Sequence, residues 1–430
     1  MKGTPVIVDF TIKNFRSIRD EMIFSMSVEH PKSHLMENIA YPADGRIGVL
    51  KSAGLYGANA SGKSNILLAF RALQWIADDS GDLKENAKIP CYEPYLLSDA
   101  TSNAPVSFEI EFFNKNIRYV YAVSYNASEI LTESLDFYPN RQRANLFKRQ
   151  EGDTWETISF GGLYKGGTKR LPFFKNNSYL SKAGNNAGAA EVIRSVYSYF
   201  RSIGHVMTNS SYVFSEVYDD EELLNRITVF LCNVDTGVTG ISKKEKVLGR
   251  KVNIPDSFPV ELKEALLKRE QYDFYFSHKK DDGTPVSFKE DIESDGTQKL
   301  FNMLPMLLSV FSEGEVLVMD ELDNSFHPHI AALLIKLFND PVANKNNAQL
   351  IFSTHNMNLM SPTLMRRDQI WFVEKKDGAS SLYSLDEFDK SSVKSNSPFG
   401  HWYDEGRFGA LPEISYSRIS ELLSSGADAV

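Results

Sequence analysis

Apolar and polar positions alternate from the start of the chain. Val6 to Ile12 reads as a strand, Asn14-Phe15-Arg16-Ser17 as a polar turn, and Met22 to Ser27 as a second strand. A third apolar segment, Ile47 to Tyr56, runs into a glycine-bearing loop, and Asn65 to Ala77 then has the three-to-four-residue apolar spacing of a helix. Between Pro105 and Arg149 the alternation returns in Val106 to Phe113, Arg118 to Tyr125 and Glu133 to Tyr138, as in a half-exposed antiparallel sheet. Residues 161–190, rich in Gly, Asn and Lys, read as a long surface loop, and 190–232 and 259–270 as helical. After residue 290 helices alternate with short buried strands: Leu300 to Phe311 helical, Val316 to Met319 a strand, Pro328 to Leu337 helical, and Gln349 to Ser353 and Gln369 to Glu374 strands. The pattern predicts an α/β head built from both ends of the chain: 1–160 with an antiparallel β lobe, 286–430 closing the head, and a loop-rich, mainly helical insertion at 161–285.

Composition narrows the class. Of 430 residues 42% are hydrophobic and 24% charged, enough apolar material for a large core. The most apolar stretch, Leu300 to Phe311, is too short to span a bilayer, and the first residues have no signal-peptide pattern, so no membrane partner is expected. Two cysteines, Cys91 and Cys232, give neither a disulfide framework nor metal-ligand spacing and suit a reducing cytoplasm. The net charge of −9 argues against wrapping nucleic acid over the whole surface, while leaving a local basic groove open.

Four segments hold the candidate chemistry. Gly57-Ala58-Asn59-Ala60-Ser61-Gly62-Lys63-Ser64 matches G-x-x-x-x-G-K-[ST] between a strand and a helix starting near Asn65. Such a loop turns backbone N–H groups toward phosphate, with Lys63 for the β- and γ-phosphates of ATP and the Ser64 hydroxyl for Mg²⁺. Val316 to Met319 ends in Asp320 and Glu321, a carboxylate for the metal and one to polarise an attacking water. Ser294-Asp295-Gly296-Thr297-Gln298 starts a helix and offers an anion-binding N-terminus. Leu350 to Ser353, followed by Thr354 and His355, is a strand ending in a histidine able to hydrogen-bond a γ-phosphate.

In this order the motifs resemble the ABC-type ATPase superfamily, with Leu322-Asp323 in the D-loop place. Ile12-Lys13-Asn14-Phe15-Arg16-Ser17 is similar to the start of its RecF/SMC/Rad50 branch. Residues 320–329, 366–378 and 407–412 look like the AAA-annotated, ABC-like ATPases found with abortive-infection and other phage-defence systems, relatives of the OLD ATPase domain. The resemblance implies catalytic roles for Glu321 and His355 and metal ligation by Ser64 and Asp320. It implies nucleotide contacts from Gly57, Asn59, Ser61, Gly62, Lys63, Ser64, Asn65 and Arg16. Ser294 and Gly296 would reach the nucleotide of an opposite subunit, and Asp323 would lie at the dimer seam. One departure is plain: the superfamily has a glutamine downstream of the P-loop helix, yet no Gln stands between Gln74 and Gln142.

Three functions compete. The first is an ATP-dependent homodimer, or larger oligomer, acting as sensor or scaffold in anti-phage defence and controlling a separate effector of the Toprim or another nuclease class, with a phage protein as trigger. The second is a RecF- or Rad50-like repair ATPase acting on DNA, and the third a transporter subunit. The long span between Lys63 and Ser294 argues against the third, and the absence of a sustained heptad or C-x-x-C hook against a Rad50 proper. Residues 161–285, with exposed-looking Tyr164, Phe173, Phe174, Tyr197, Tyr199 and Tyr212, or the adjoining β lobe, are expected to dock the partner or trigger, and the basic stretch Lys165 to Lys182 leaves DNA contact open. Asp386, Glu387 and Asp389 read as a solvated acidic loop, so a nuclease would be a separate chain.

Overall fold

In the computed structural model, which describes residues 5–30, 32, 34–43, 45–207, 219–234, 236–246, 268, 271–324, 326–412 and 415–425, the period-two segments form two large sheets. A seven-stranded antiparallel sheet follows the order β10 (Ser159–Phe160), β9 (Ala144–Arg149), β8 (Ile130–Phe137), β7 (Ile117–Tyr125), β6 (Val106–Asn114), β1 (Val6–Lys13) and β2 (Met22–Ser25). A six-stranded sheet follows β11 (Gly204–Val206), β15 (Val316–Met319), β16 (Gln349–Ser353), β5 (Ser52–Tyr56), β17 (Ile370–Lys376) and β18 (Ala379–Ser384). Its first five strands are parallel and β18 pairs antiparallel to β17. Two small sheets join β3 (Ile39–Ala40) to β4 (Val49–Leu50), and β12 (Gly240–Glu245), β13 (Tyr272–Lys279) and β14 (Pro285–Lys289). The expected strand over 47–56 is thus two, because Lys51 separates β4 from β5.

Among the described residues the helices are α1 (Lys63–Asp78), α2 (Tyr179–Gly184), α3 (Glu191–Arg201), α4 (Glu221–Cys232), α5 (Asp295–Glu313), α6 (Pro328–Asn339), α7 (Phe399–Asp404) and α8 (Tyr416–Ser425). The parallel strands β5, β15, β16 and the first half of β17 are buried on both faces, and alternate residues go to different cores. Leu55, Val318, Ile351 and Val373 face the cluster that holds α1 and the antiparallel lobe. Tyr56, Leu317, Phe352 and Phe372 face the cluster that holds α5, α6 and the C-terminal segment. The head is therefore three-layered, and α1 is the splint to the lobe: its Phe70 ring lies 4.2 Å from that of Phe10 on β1. Among the described residues no helix is long and apolar enough to cross a membrane.

The stretch 161–190 departs from the surface-loop expectation. Asn176, Asn177 and Ser178 are fully buried, and Tyr164 and Tyr179 share a hydroxyl contact of 3.0 Å inside the first core. Asn176 Nδ2 donates to the Lys84 and Ala87 carbonyls and Asn177 Nδ2 to those of Ser80 and Leu83, so side-chain amides replace the ladder that an irregular segment lacks. The aromatics expected to be exposed are core residues: Tyr164, Phe173, Tyr197 and Tyr199 are buried, Phe174 alone of those described is 45% exposed, and Tyr212 lies outside the described residues. Burial of these rings removes the argument that they form a docking surface. Further along the same insertion, β11 joins the edge of the head sheet, beside β15. The helical pattern at 259–270 falls almost wholly outside the described residues.

Candidate functional site

Three parallel strands end side by side, and each delivers one motif at its C-terminal end, where open α/β sheets place their ligand crevices. β5 leads into the loop at Gly57, β15 into Asp320-Glu321, and β16, between them, into Thr354-His355. Gly57 (φ 151) and Gly62 (φ 114) occupy backbone space closed to side chains: a Cβ on Gly57 would stand 2.2 Å from the Val373 oxygen, and one on Gly62 2.2 Å from Ser380 Oγ. Ala60 also has positive φ (62). The N–H groups of Asn59, Ala60 and Gly62 donate to no backbone acceptor among the described residues, and the buried Ser61 hydroxyl has no partner. A loop of free inward-turned donors at a helix start fits a polyphosphate.

Lys63 is 5% exposed, and its Nζ donates to the carbonyls of Gly57 and Ala58, both at 2.9 Å. Burial pushes its pKa down to about 8, against the pull of the carboxylates of Asp320, Glu321 and Asp323. Ser64 Oγ donates to Asp320 Oδ1 at 3.1 Å, so a hydroxyl and a carboxylate converge, the hard-oxygen donor set that Mg²⁺ takes. Ser353 Oγ donates to the same Asp320 oxygen at 2.5 Å and accepts the Glu321 N–H at 2.8 Å. That tie accompanies a left-handed backbone at Glu321 (φ 50), whose Oε2 accepts from Asn324 Nδ2 at 3.1 Å. Asp323 Oδ1 accepts from the Thr354 hydroxyl and, at 3.3 Å, from the His355 N–H, joining the turn after β15 to the turn after β16. Burial first, then the charge of Lys63, holds the His355 pKa below its ordinary value, which keeps the ring neutral.

The loop is also braced from outside. Ala58 N–H donates to Ala410 O at 3.0 Å, and Tyr403 Oη reaches that oxygen at 2.9 Å, so residues 407–412 buttress it. A cavity of about 900 Å³ opens there, lined by Gly57 to Ser61, Thr354, His355, Glu374 and Tyr403. On the other side Ser380 Oγ lies 2.7 Å from Ser17 Oγ and 2.5 Å from the Ser61 oxygen, and Asn65 Nδ2 donates to Ser17 Oγ at 2.7 Å. Arg16 pairs with Glu93, its Nη1 lying 3.5 Å from Asn65 Oδ1.

Lys63, Ser64, Asp320, Glu321, Asp323 and His355 thus come together in one chain, with Asn59, Ser61 and Gly62 on the loop. Ser294 and Gly296 do not join them: Ser294 caps α5, its Oγ accepting the Thr297 N–H at 3.2 Å, and among the described residues no hydrogen bond links either residue to the loop. Sequence reasoning missed three participants. Ser353 carried a usable signal, a hydroxyl where a buried strand ends. Lys299 and Glu93 carried none, since their meaning comes from distant residues: Lys299 Nζ donates to the Asn324 oxygen at 2.6 Å and lies 4.8 Å from the Phe326 ring. The Asp386 group serves the loop itself: Asp386 lies 3.5 Å from Arg367, and Glu387 accepts the Ser384 N–H at 2.8 Å.

A P-loop before α1, acidic and histidine turns on adjoining parallel strands, and an antiparallel lobe define an ABC-type P-loop ATPase head. The chain belongs to the family described as "AAA domain, putative AbiEii toxin, Type IV TA system", whose model matches residues 52–361. Similar solved structures include the SMC head domain from Thermotoga maritima, 13% identical, covering 88% of this chain and 98% of that one at a TM-score of 0.39. The Smc head domain with a coiled coil and joint derived from Pyrococcus yayanosii is 9% identical, covering 89% and 99%, at 0.39. CbiO1 from Clostridium perfringens, part of the ABC transporter complex cbiONQ, is 12% identical, covering 99% and 100%, at 0.28. No curated protein matches the chain.

Proposed function

We propose that this protein is a cytoplasmic ATPase that binds Mg²⁺–ATP at the 57–64 loop and hydrolyses it in a head-to-head dimer. The observation that carries the reading is the hydrogen-bonded series Ser64–Asp320–Ser353–Glu321, which sets a metal-ligand pair next to a second carboxylate near Lys63. In this reading Lys63 leaves the Gly57 and Ala58 carbonyls for the β- and γ-phosphates, whose negative charge offsets the burial that has lowered its pKa. Ser64 and, directly or through water, Asp320 would hold Mg²⁺, which would supply neutralisation of the charge developing on the phosphates. Glu321 orients and deprotonates the attacking water, and the neutral His355 ring donates to the γ-phosphate.

Ser294, exposed, and Gly296, half-buried, both apart from the loop of their own chain, serve the nucleotide of a second copy, with Asp323 at the seam. ATP would then close two heads over two composite sites. Family membership supports the wider setting: an abortive-infection ATPase that senses infection and releases or restrains a separate toxic effector, a nuclease being the class favoured here. Purified protein should hydrolyse ATP only with Mg²⁺. Hydrolysis by Lys63→Ala protein at the wild-type rate would refute the site.

A further inference from the structure

The polar turn at 14–17 is folded onto the segment that leads from the head into the lobe. Asn14 (φ 55) and Arg16 (φ 51) both take left-handed backbone. Asn14 Nδ2 donates to the Thr101, Ala104 and Pro105 carbonyls at 3.0, 2.9 and 3.2 Å, and its Oδ1 accepts the Tyr95 N–H at 3.1 Å. Arg16 N–H donates to Glu93 O at 2.7 Å. Its guanidinium is held in a two-pronged grip, Nε to Oε2 at 2.7 Å and Nη2 to Oε1 at 2.8 Å. A bidentate pair fixes the plane and rotation of a guanidinium as well as its place. The edge left over is Nη1, 3.5 Å from the side-chain oxygen of Asn65, the residue after Ser64 in the first turn of α1. Both side chains remain partly open to solvent, at 34% for Arg16 and 43% for Glu93, so a ligand can reach the pair.

We infer that Glu93 is a positioning residue for nucleotide: it aims the Nη1 edge of Arg16 at the phosphates bound over the first turn of α1, and so ties the segment 93–105 to nucleotide occupancy. Two anions then share one cation. Glu93 takes the Nε–Nη2 edge, a phosphate oxygen takes Nη1, and the five N–H groups of arginine suffice for both. Glu93 does not touch the nucleotide; without it Arg16 keeps its charge but loses its aim. The Asn14 clamp transmits the outcome, because it fastens the same turn to residues 95–105 just before β6.

The inference rests on nucleotide binding at the 57–64 loop, and a double-mutant cycle on the full chain keeps the two apart. Fluorescent ATP binding is titrated for wild type, Glu93→Ala, Arg16→Ala and the double variant, with Lys63→Ala as control, and hydrogen exchange of 93–105 is followed with and without ATP. Glu93→Ala should weaken binding roughly tenfold when Arg16 is present and leave it unchanged in the Arg16→Ala background, a coupling that independent sites do not show. Glu93→Gln, which keeps one hydrogen-bond acceptor, should fall between. ATP should slow exchange across 93–105 in wild type and not in Glu93→Ala. Equal losses from Glu93→Ala in both backgrounds, or wild-type affinity in Glu93→Ala protein, would overturn the inference. Wild-type protein that binds no more ATP than Lys63→Ala would instead refute the nucleotide site itself.

Discussion

Two buried polar networks, one at the start of α1 and one in the lobe, differ in how they are made. In the head, Lys63 and Ser64 open α1 while Asp320 and Ser353 stand at the ends of neighbouring parallel strands, and their hydrogen bonds leave open loop donors and a lysine held by two carbonyls. In the lobe, Glu133 is 1% exposed and accepts from Tyr121 Oη at 3.0 Å, Tyr179 N–H at 2.7 Å and Leu180 N–H at 3.0 Å. Arg149 beside it donates to the Asn177 and Lys175 carbonyls at 2.7 and 2.9 Å and stacks 4.7 Å from the Phe173 ring. The lobe network saturates its carboxylate and is structural, although Arg149 Nε has no partner among the described residues; the head network surrounds a loop of free backbone donors and can take a ligand. Neither burial nor one unsatisfied donor distinguishes a site from a strut, whereas a set of unpaired donors on one loop at a helix start does.

The largest effect should come from the open network. Lys63→Ala should abolish detectable ATP binding while the melting temperature stays within a few degrees of wild type, read by calorimetry on the same sample. Loss of folding instead would make Lys63 a strut and erase the contrast. Glu321→Gln should retain ATP binding and cut single-turnover hydrolysis by ~10²–10⁴-fold, the usual contribution of a general base; an unchanged rate would remove it from catalysis.

The lobe network should answer in stability. Glu133→Ala leaves three donors without their acceptor and the buried Arg149 without its neighbouring negative charge, and should cost about 3–5 kcal/mol in denaturant unfolding. A loss under about 1 kcal/mol would mean that the network is not the strut described. The smallest effect sharpens the picture of Lys63. Burial has lowered its pKa to about 8, so the free lysine loses its charge as pH rises through that value, while phosphate favours the charged form. ATP affinity should therefore be flat near pH 7 and fall above pH 8, by at most about tenfold per pH unit. Affinity that is level to pH 9.5 would place the lysine elsewhere.

The same contrast explains what could be read in the sequence. A P-loop is contiguous, because one turn and one helix start create its chemistry, so Gly57 to Ser64 declared itself, as did Asp320-Glu321 and His355 at the ends of apolar runs. The head strands were legible from β-branched and apolar runs of the right length. Residues 161–190 were not, because Gly, Asn and Lys there suggested solvent while Asn176 and Asn177 are buried as carbonyl-capping side chains. Tyr164, Tyr197 and Tyr199 have the same composition signature whether they face solvent or Phe112, whose ring lies 4.1 Å from that of Tyr199. β11 is three residues long and takes its identity from β15, far along the chain. Glu93 likewise acquires meaning only when Arg16 arrives beside it.

The central claim is that one catalytic site needs two chains, and subunit mixing tests it most directly. Lys63→Ala should be inactive for want of phosphate binding, and Ser294→Arg should bind ATP yet fail to hydrolyse it, because a bulky cation replaces a small helix cap at the surface offered to the second copy. Mixed under conditions that allow exchange, the two should regain hydrolysis, since a mixed dimer pairs the intact 57–64 loop of one chain with the intact Ser294 of the other. A mixture that exchanges subunits and stays as inactive as its components, or Ser294→Arg protein as active alone as the wild type, would contradict the composite site.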